Sequence, residues 1–320
     1  MNCPKKLLTC CVLSILLNSP SHADSDAGSM TILMPFANGS ITDVIAREFA
    51  EEYTKLTSQP SIVVNRLGAQ GAIAGAALAN SAGDGRTMMF TSSSLPVLDP
   101  LLKKDIPYDP VRDFAPVCTI GRISNVVNIS GASPLKTLDE VVAAAKASPG
   151  KLTFAYTSSN TRLAAELFQH NAQITLKGIP YKSSATALTE VASGLVDLMF
   201  IDNISAQPFY QSGKLRPLAV LDDHRAKMLA DVATAKELGV EGHNAAVWFG
   251  LYVSAKSPAN VLAELTDKVK KAVESPDILA KLEKRGIEPM HHCGTDMSEF
   301  QLNEIGILRD IVTKAGIERQ

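Results

Sequence analysis

Aromatic residues are scarce in this 320-residue chain: they make up 5% of it, with a single tryptophan, Trp248. Stacking platforms for bases or sugar rings rely on such side chains, so neither is expected. An excess of one charge is missing too. With 31 Lys and Arg against 33 Asp and Glu, the formal net charge is −2, which argues against a nucleic-acid partner. The chain has no apolar run long enough for a permanent membrane helix; the most continuous, residues 7–17, falls short. Catalytic signatures are lacking as well. There is no Gly-x-Ser-x-Gly elbow, no His-Glu-x-x-His and no Walker loop. His291, His292 and Cys293 form a cluster without a companion, so no metal and no cofactor are expected. Ser92, Ser93 and Ser94 offer hydroxyls, but no base can be set beside them.

What is present begins at the N-terminus. Lys5 and Lys6 precede the apolar run 7–17, and a polar break leads to Ser21, His22 and Ala23. Basic, apolar, then small is the pattern of a cleaved secretory signal, here residues 1–23, with the mature chain starting at Asp24. Lipidation at Cys10 or Cys11 fits less well, because Leu8-Thr9-Cys10 comes too early in the run. Cys3, Cys10 and Cys11 leave with the signal. Cys118 and Cys293 remain; pairing in an oxidising compartment is open to them, but spacing alone favours two free thiols over a disulfide.

The mature chain alternates short apolar runs with amphipathic stretches. Residues 31–35 read as a strand that stops at the small-residue loop 36–40; from Asp43 onward Ile45, Phe49, Tyr53 and Leu56 share one helical face. A strand entering a helix through such a loop sets free backbone N–H groups at the strand's carboxyl edge, which suits an anion. Asp43 is expected to cap that helix. Ser61–Asn65 and residues 87–91 are further strands, the latter ending in Ser92-Ser93-Ser94. Residues 101–114, rich in proline and charge, read as a surface connection. Thr137 with Glu140 makes a capping box. A second α/β set then runs from residue 152 to Leu215–Leu221, and its strand ends carry Thr157, Ser158, Ser159, Asn160 and Thr161, then Asp202 and Asn203. Strand 248–254, with Trp248 as core, and three helices return to the first set; Ser257-Pro258 and Ser275-Pro276 read as helix starts. One set inserted within another implies two lobes, 24–116 with 222–320 and 117–221, joined by crossings near residues 115–120 and 215–221.

These residues resemble a known family. Met34-Pro35-Phe36, Asn38-Gly39-Ser40, Asp43, Ala46 and Arg47 are similar to the opening pattern of the substrate-binding receptors of tripartite tricarboxylate transporters, the Bug-type extracytoplasmic receptors. Asn65-Arg66 with Gly68, Gly71 and Gly75, then Pro107-Tyr108-Asp109-Pro110, Pro180-Tyr181-Lys182 and Trp248-Phe249-Gly250, follow in that family's order. Ser40 stands where the family usually has a second glycine, residues 157–161 form a shorter loop, and Arg162 replaces a common His. The resemblance implies an α/β, two-lobed periplasmic-binding-protein fold of type II-like form, with two crossover strands as hinge. It also implies a monomer exported to the periplasm, which captures a small carboxylated solute for membrane permease subunits. A dicarboxylate, an amino acid or an aromatic carboxylate would suit the site. The expected contacts are Phe36, Asn38, Gly39, Ser40, Ser92 and Ser93 on one lobe. Facing them are residues 157–161, Tyr181, Asp202 and Asn203. A bulky side chain at Gly39 is expected to block the first loop. Two other readings share the chain: a periplasmic sensor for a two-component system and an exported enzyme acting on a small carboxylate.

Overall fold

The computed structural model describes residues 28–240 and 245–319; the expected signal, its three cysteines and the cleavage point after Ala23 lie outside them. β1 (Met30–Met34) passes into α1 (Ile41–Thr57), and β2 (Ser61–Asn65), α2 (Ala72–Ala79) and β3 (Thr87–Ser92) follow. β2 and β3 flank β1 and run parallel to it, as crossover helices dictate. A buried turn, Ser94–Leu98, and the short helix α3 (Asp99–Leu102) lead to β4 (Phe114–Ile123). A single residue, Ser124, separates β4 from the second sheet.

That sheet is built by β5 (Asn125–Ser130), α4 (Leu138–Ala147), β6 (Thr153–Tyr156), α5 (Ser159–Ala172), β7 (Lys177–Pro180), α6 (Ser184–Ser193), β8 (Leu198–Asp202), α7 (Asn203–Gln211) and β9 (Leu215–Leu221). Its strand order is β7-β6-β8-β5-β9, with β5 antiparallel to both neighbours. The chain returns as β10 (Val247–Ser254), followed by α8 (Ala259–Val273), α9 (Pro276–Lys284), β11 (Glu288–Pro289) and α10 (Thr295–Lys314). β10 inserts antiparallel between β3 and β4, giving the first sheet the order β11-β4-β10-β3-β1-β2.

Side-chain alternation explains why each sheet is covered on both faces. In β10, Phe249, Leu251 and Val253 enter one cluster with Ile32, Phe49 and Phe90, while Trp248 and Tyr252 enter another with Leu33, Leu98 and Met297. The second sheet divides likewise between Val127, Phe154 and Phe200 on one face and Ala155, Met199 and Ile201 on the other. Burying each such large side chain contributes about 1.5–3 kcal/mol before chain entropy is counted.

Several local expectations change. The edge expected at 116/117 falls inside β4, which stays in the first sheet to Ile123. Gly121 lies within the strand: a Cβ there would lie 2.9 Å from the Glu288 carbonyl oxygen and 2.8 Å from Ile287. Glycine is what lets β11 pair so closely. Residues 101–114 are not simply surface, since Leu101, Leu102, Tyr108 and Phe114 are buried. Ser257 caps nothing; α8 starts after Pro258, and the Ser257 hydroxyl is buried without a partner. Thr137 and Ser275 do cap α4 and α9. Cys118 and Cys293 form a disulfide, Cα atoms 4.1 Å apart, between β4 and the approach to α10. The 175-residue separation hides this contact, which β11 creates by laying its following residues along β4.

Candidate functional site

The first loop is shaped from behind. Asp43 accepts hydrogen bonds from the Gly39 N–H (3.0 Å), from Arg47 (2.9 and 3.0 Å) and from Asn65 Nδ2 (2.9 Å). Asn65 also donates to the Phe36 carbonyl at 2.9 Å. Burial works to raise the Asp43 carboxyl, but Arg47, Asn65 and Gly39 outweigh it and hold it below its ordinary value. The actual N-cap is Ser40, whose Oγ accepts from the Asp43 N–H. Its φ of −65° needs no glycine, so the hydroxyl adds a cap at no backbone cost.

This loop forms one wall of a cleft of about 630 Å³ between the lobes. Five helices start at its rim: α1 at Ser40, α2 at Gly71, α5 at Ser158, α6 at Ser183 and α7 at Asp202, and all five capping residues line it. Helix starts leave N–H groups without intrahelical acceptors and carry the positive end of the macrodipole. Three of these caps are neutral hydroxyls, and α5 and α6 have no acidic residue in the first turn, so they keep that positive end; Asp43 offsets it in part at α1, and Asp202 at α7. Lys182 is the one basic side chain among the described lining residues. An anion placed there would meet oriented backbone dipoles rather than salt bridges.

Among the residues singled out from sequence, Phe36, Ser40, Ser92, Thr157, Ser158, Asn160, Thr161, Tyr181 and Asp202 line this cleft. Asn38 and Gly39 sit exposed at the tip of the first loop, outside the lining. A Cβ on Gly39 would meet nothing within 4 Å, so the expected blockage has no steric basis there. Ser93 and Ser159 face other partners. Ser93 donates to Asn160 Oδ1 at 3.0 Å, and Ser159 donates to the buried Asp99 at 2.5 Å. Both bonds join the lobes. Asn203 is buried behind the lining. Arg162 turns away to the Leu102 and Glu318 carbonyls (3.4 and 3.1 Å). Tyr181 donates to Glu190, which pushes the phenol up to about 12.

The lining also holds Ile41, Thr42, the Gly68–Gly71 loop, Ser183, Ser184, Ser205 and Asn125. In the sequence Gly68 and Gly71 stand only as residues of the family resemblance, with no place in the site. The usable signal was the helix start itself, and for Asn125 there was none. A larger cavity of about 760 Å³ lies behind the hinge, lined by Leu98, Leu163, Leu167, Trp248 and Ile311. Its lining also carries charge of both signs, Arg122 and Lys236 with Asp223 and Glu304. Asn160 separates the two spaces: Nδ2 donates to Ser92 Oγ at 3.1 Å, and its backbone N–H donates to Ser94 Oγ at 3.3 Å.

Two inserted α/β lobes with an interlobe cleft ringed by helix starts define a two-lobed solute-binding protein. The comparisons carry this further. Residues 45–317 match the family described as tripartite tricarboxylate transporter family receptor. Protein BugT of Bordetella pertussis is 31% identical over 302 residues, 93% of each chain. The R. palustris protein Rpa4515, solved with adipate, superposes with a TM-score of 0.87 at 28% identity, covering 93% of this chain and all of that one. MatC of Rhodopseudomonas palustris with bound malate gives 0.82 at 25% identity, with coverage of 89% and 98%. The chain belongs to the tripartite tricarboxylate transporter receptor family.

Proposed function

We propose that this chain is an extracytoplasmic receptor that closes on a small carboxylated solute and delivers it, unchanged, to the permease subunits of a tripartite tricarboxylate-type transporter. The observation that carries this reading is the convergence of the Ser40, Ser158 and Ser183 helix starts on one interlobe cleft. Adipate in one relative and malate in another make carboxylates the natural first class to test. A periplasmic location is supported by the Cys118–Cys293 disulfide, which suits an oxidising compartment. Among the described residues no helix is long and apolar enough to cross a membrane, and no group of His, Cys, Asp or Glu could hold a metal.

Native mass spectrometry of the purified protein, followed by a thermal-shift screen of mono- and dicarboxylates, tests the reading. A retained or titratable carboxylate that raises the melting temperature and is recovered intact supports it. Turnover of the bound compound would transfer the chain to the enzyme class. Binding restricted to neutral or cationic solutes would overturn it outright.

A further inference from the structure

The cavity behind the hinge is larger than the cleft and has no part in solute capture. Alternation along β4 and β10 separates the two spaces. Ile123, Val247 and Phe249 line the cleft, while Arg122 and Trp248 line the cavity. Leu163 and Leu167 of α5 close it from one lobe, and Leu308 and Ile311 of α10 from the other. Its volume of about 760 Å³ falls in the range of small-molecule sites.

One charge in its wall has no counterpart. Glu304, on α10, is half-buried, and burial pushes its carboxyl above the ordinary value. Arg122 acts against that shift, but its guanidinium is bound to Asp222 at 2.6 Å and lies 3.8 Å from Glu288. The Trp248 N–H acts the same way, yet it makes no hydrogen bond of ordinary geometry. A buried carboxyl without a partner is costly, and a positively charged donor is its complement. Phe300 lies one turn before Glu304 on α10 and meets Trp248 edge-on, with ring centroids 5.4 Å apart. Both rings line the cavity, and aromatic faces attract cations. The remaining charges of the lining, Lys236 and Asp223, are both exposed and opposite in sign.

We infer that this cavity is a second ligand site, for a small organic amine with an apolar body. The ammonium donates to Glu304 beside Trp248 and Phe300, and the body covers Leu163, Leu167 and Ile311. Such an occupant touches both lobes from behind the hinge. The site stands whichever solute the cleft takes.

Trp248 is the sole tryptophan and lines this cavity but not the cleft, so its emission reports occupancy. The mature protein is titrated with hexylamine, hexanol and methylamine. Hexylamine should change the emission saturably and bind about tenfold or more tightly than hexanol, the scale of one charged hydrogen bond. Methylamine, which lacks the body, should bind more weakly than hexylamine. Glu304→Gln should bring hexylamine down to the affinity of hexanol. Ile307→Lys is the second variant. Ile307 lines the cavity one turn from Glu304 and is 48% exposed, so a Lys there is tolerated and its ammonium competes for the carboxylate. Hexylamine should weaken several-fold in that variant. Hexanol or methylamine matching hexylamine, or a preference for the amine that survives both substitutions, overturns the inference. So does an emission that none of the three compounds changes.

Discussion

Asp43 shows how much one side chain can organise. It sits 3% exposed at the start of α1 and gathers Gly39, Arg47 and Asn65 behind the first loop. Asp43→Ala would leave the Gly39 N–H without its acceptor and the Asn65 amide with only the Phe36 carbonyl, so a loss of about 1–3 kcal/mol is expected in urea unfolding. Ligand affinity should fall with it, because Phe36 and Ser40 would no longer be held. His224 supplies a prediction in pH. Its Nε2 lies 2.6 Å from Glu288, and that bond, reinforced by Asp222, raises it above its ordinary 6.5 despite some desolvation. A histidine whose folded-state pKa is raised contributes its stability in full below the unfolded value, and loses it as pH climbs through the folded one. The melting temperature of wild type should therefore exceed that of His224→Gln under mildly acidic conditions. The gap should close as the pH climbs through the raised folded-state pKa, and a gap constant with pH would refute the pairing.

At the scale of elements, the two loop glycines that look alike in sequence behave differently. Gly39 has φ +77° and open space around a notional Cβ. Gly71, at φ +99°, would place that atom 2.8 Å from Leu95 and 3.2 Å from Pro35. Gly39→Ala should cost about 1 kcal/mol of backbone strain and leave ligand affinity nearly intact. Gly71→Ala carries a similar strain plus a clash in the wall of the cleft, so affinity should drop several-fold as well; paired thermal and calorimetric titrations distinguish the two. The helix caps were more legible than the loops. Ser158 reads as a polar loop residue, but what matters is that it opens α5 two residues past the end of β6, with Thr161 closing the box from the other side. A hydroxyl at a strand-to-helix junction is a local signal. That three such junctions meet around one space is not local at all.

For the whole molecule, covalent closure and hinge motion are the relevant quantities. The Cys118–Cys293 bond ties α10 and its approach to the first sheet across 175 residues of sequence. Removing it as the double variant Cys118→Ala, Cys293→Ala should lower stability by about 2–4 kcal/mol without changing the fold. Urea unfolding measures this, and added reductant should reproduce the loss in wild type alone. Closure is the second expectation. A solute touching both lobes favours the closed form by its differential affinity, so saturation should compact the protein in small-angle scattering. The lobes are already joined at the inner edge of the cleft by the Ser93–Asn160 and Ser159–Asp99 bonds. Motion should therefore concentrate at the outer rim, near α6, and Asn160→Ala should enlarge the change by loosening the inner edge. Identical scattering with and without ligand would dismiss closure.

Sequence by itself determined the alternation of strands and helices, the insertion of one α/β set in another, and the family. Each rests on short-range patterns: the period of apolar residues, hydroxyls before helices, and motifs such as Asn65-Arg66 and Pro180-Tyr181-Lys182. Tertiary structure decided the rest. It carried β4 on through Gly121, because β11 approaches too closely for any larger residue. It brought Cys118 against Cys293, and it set Asn125 opposite Asp202 with an acceptor left unpaired. Strand pairing is the common reason. A ladder joins residues by register rather than by distance along the chain, so what faces what is fixed only when the sheets form.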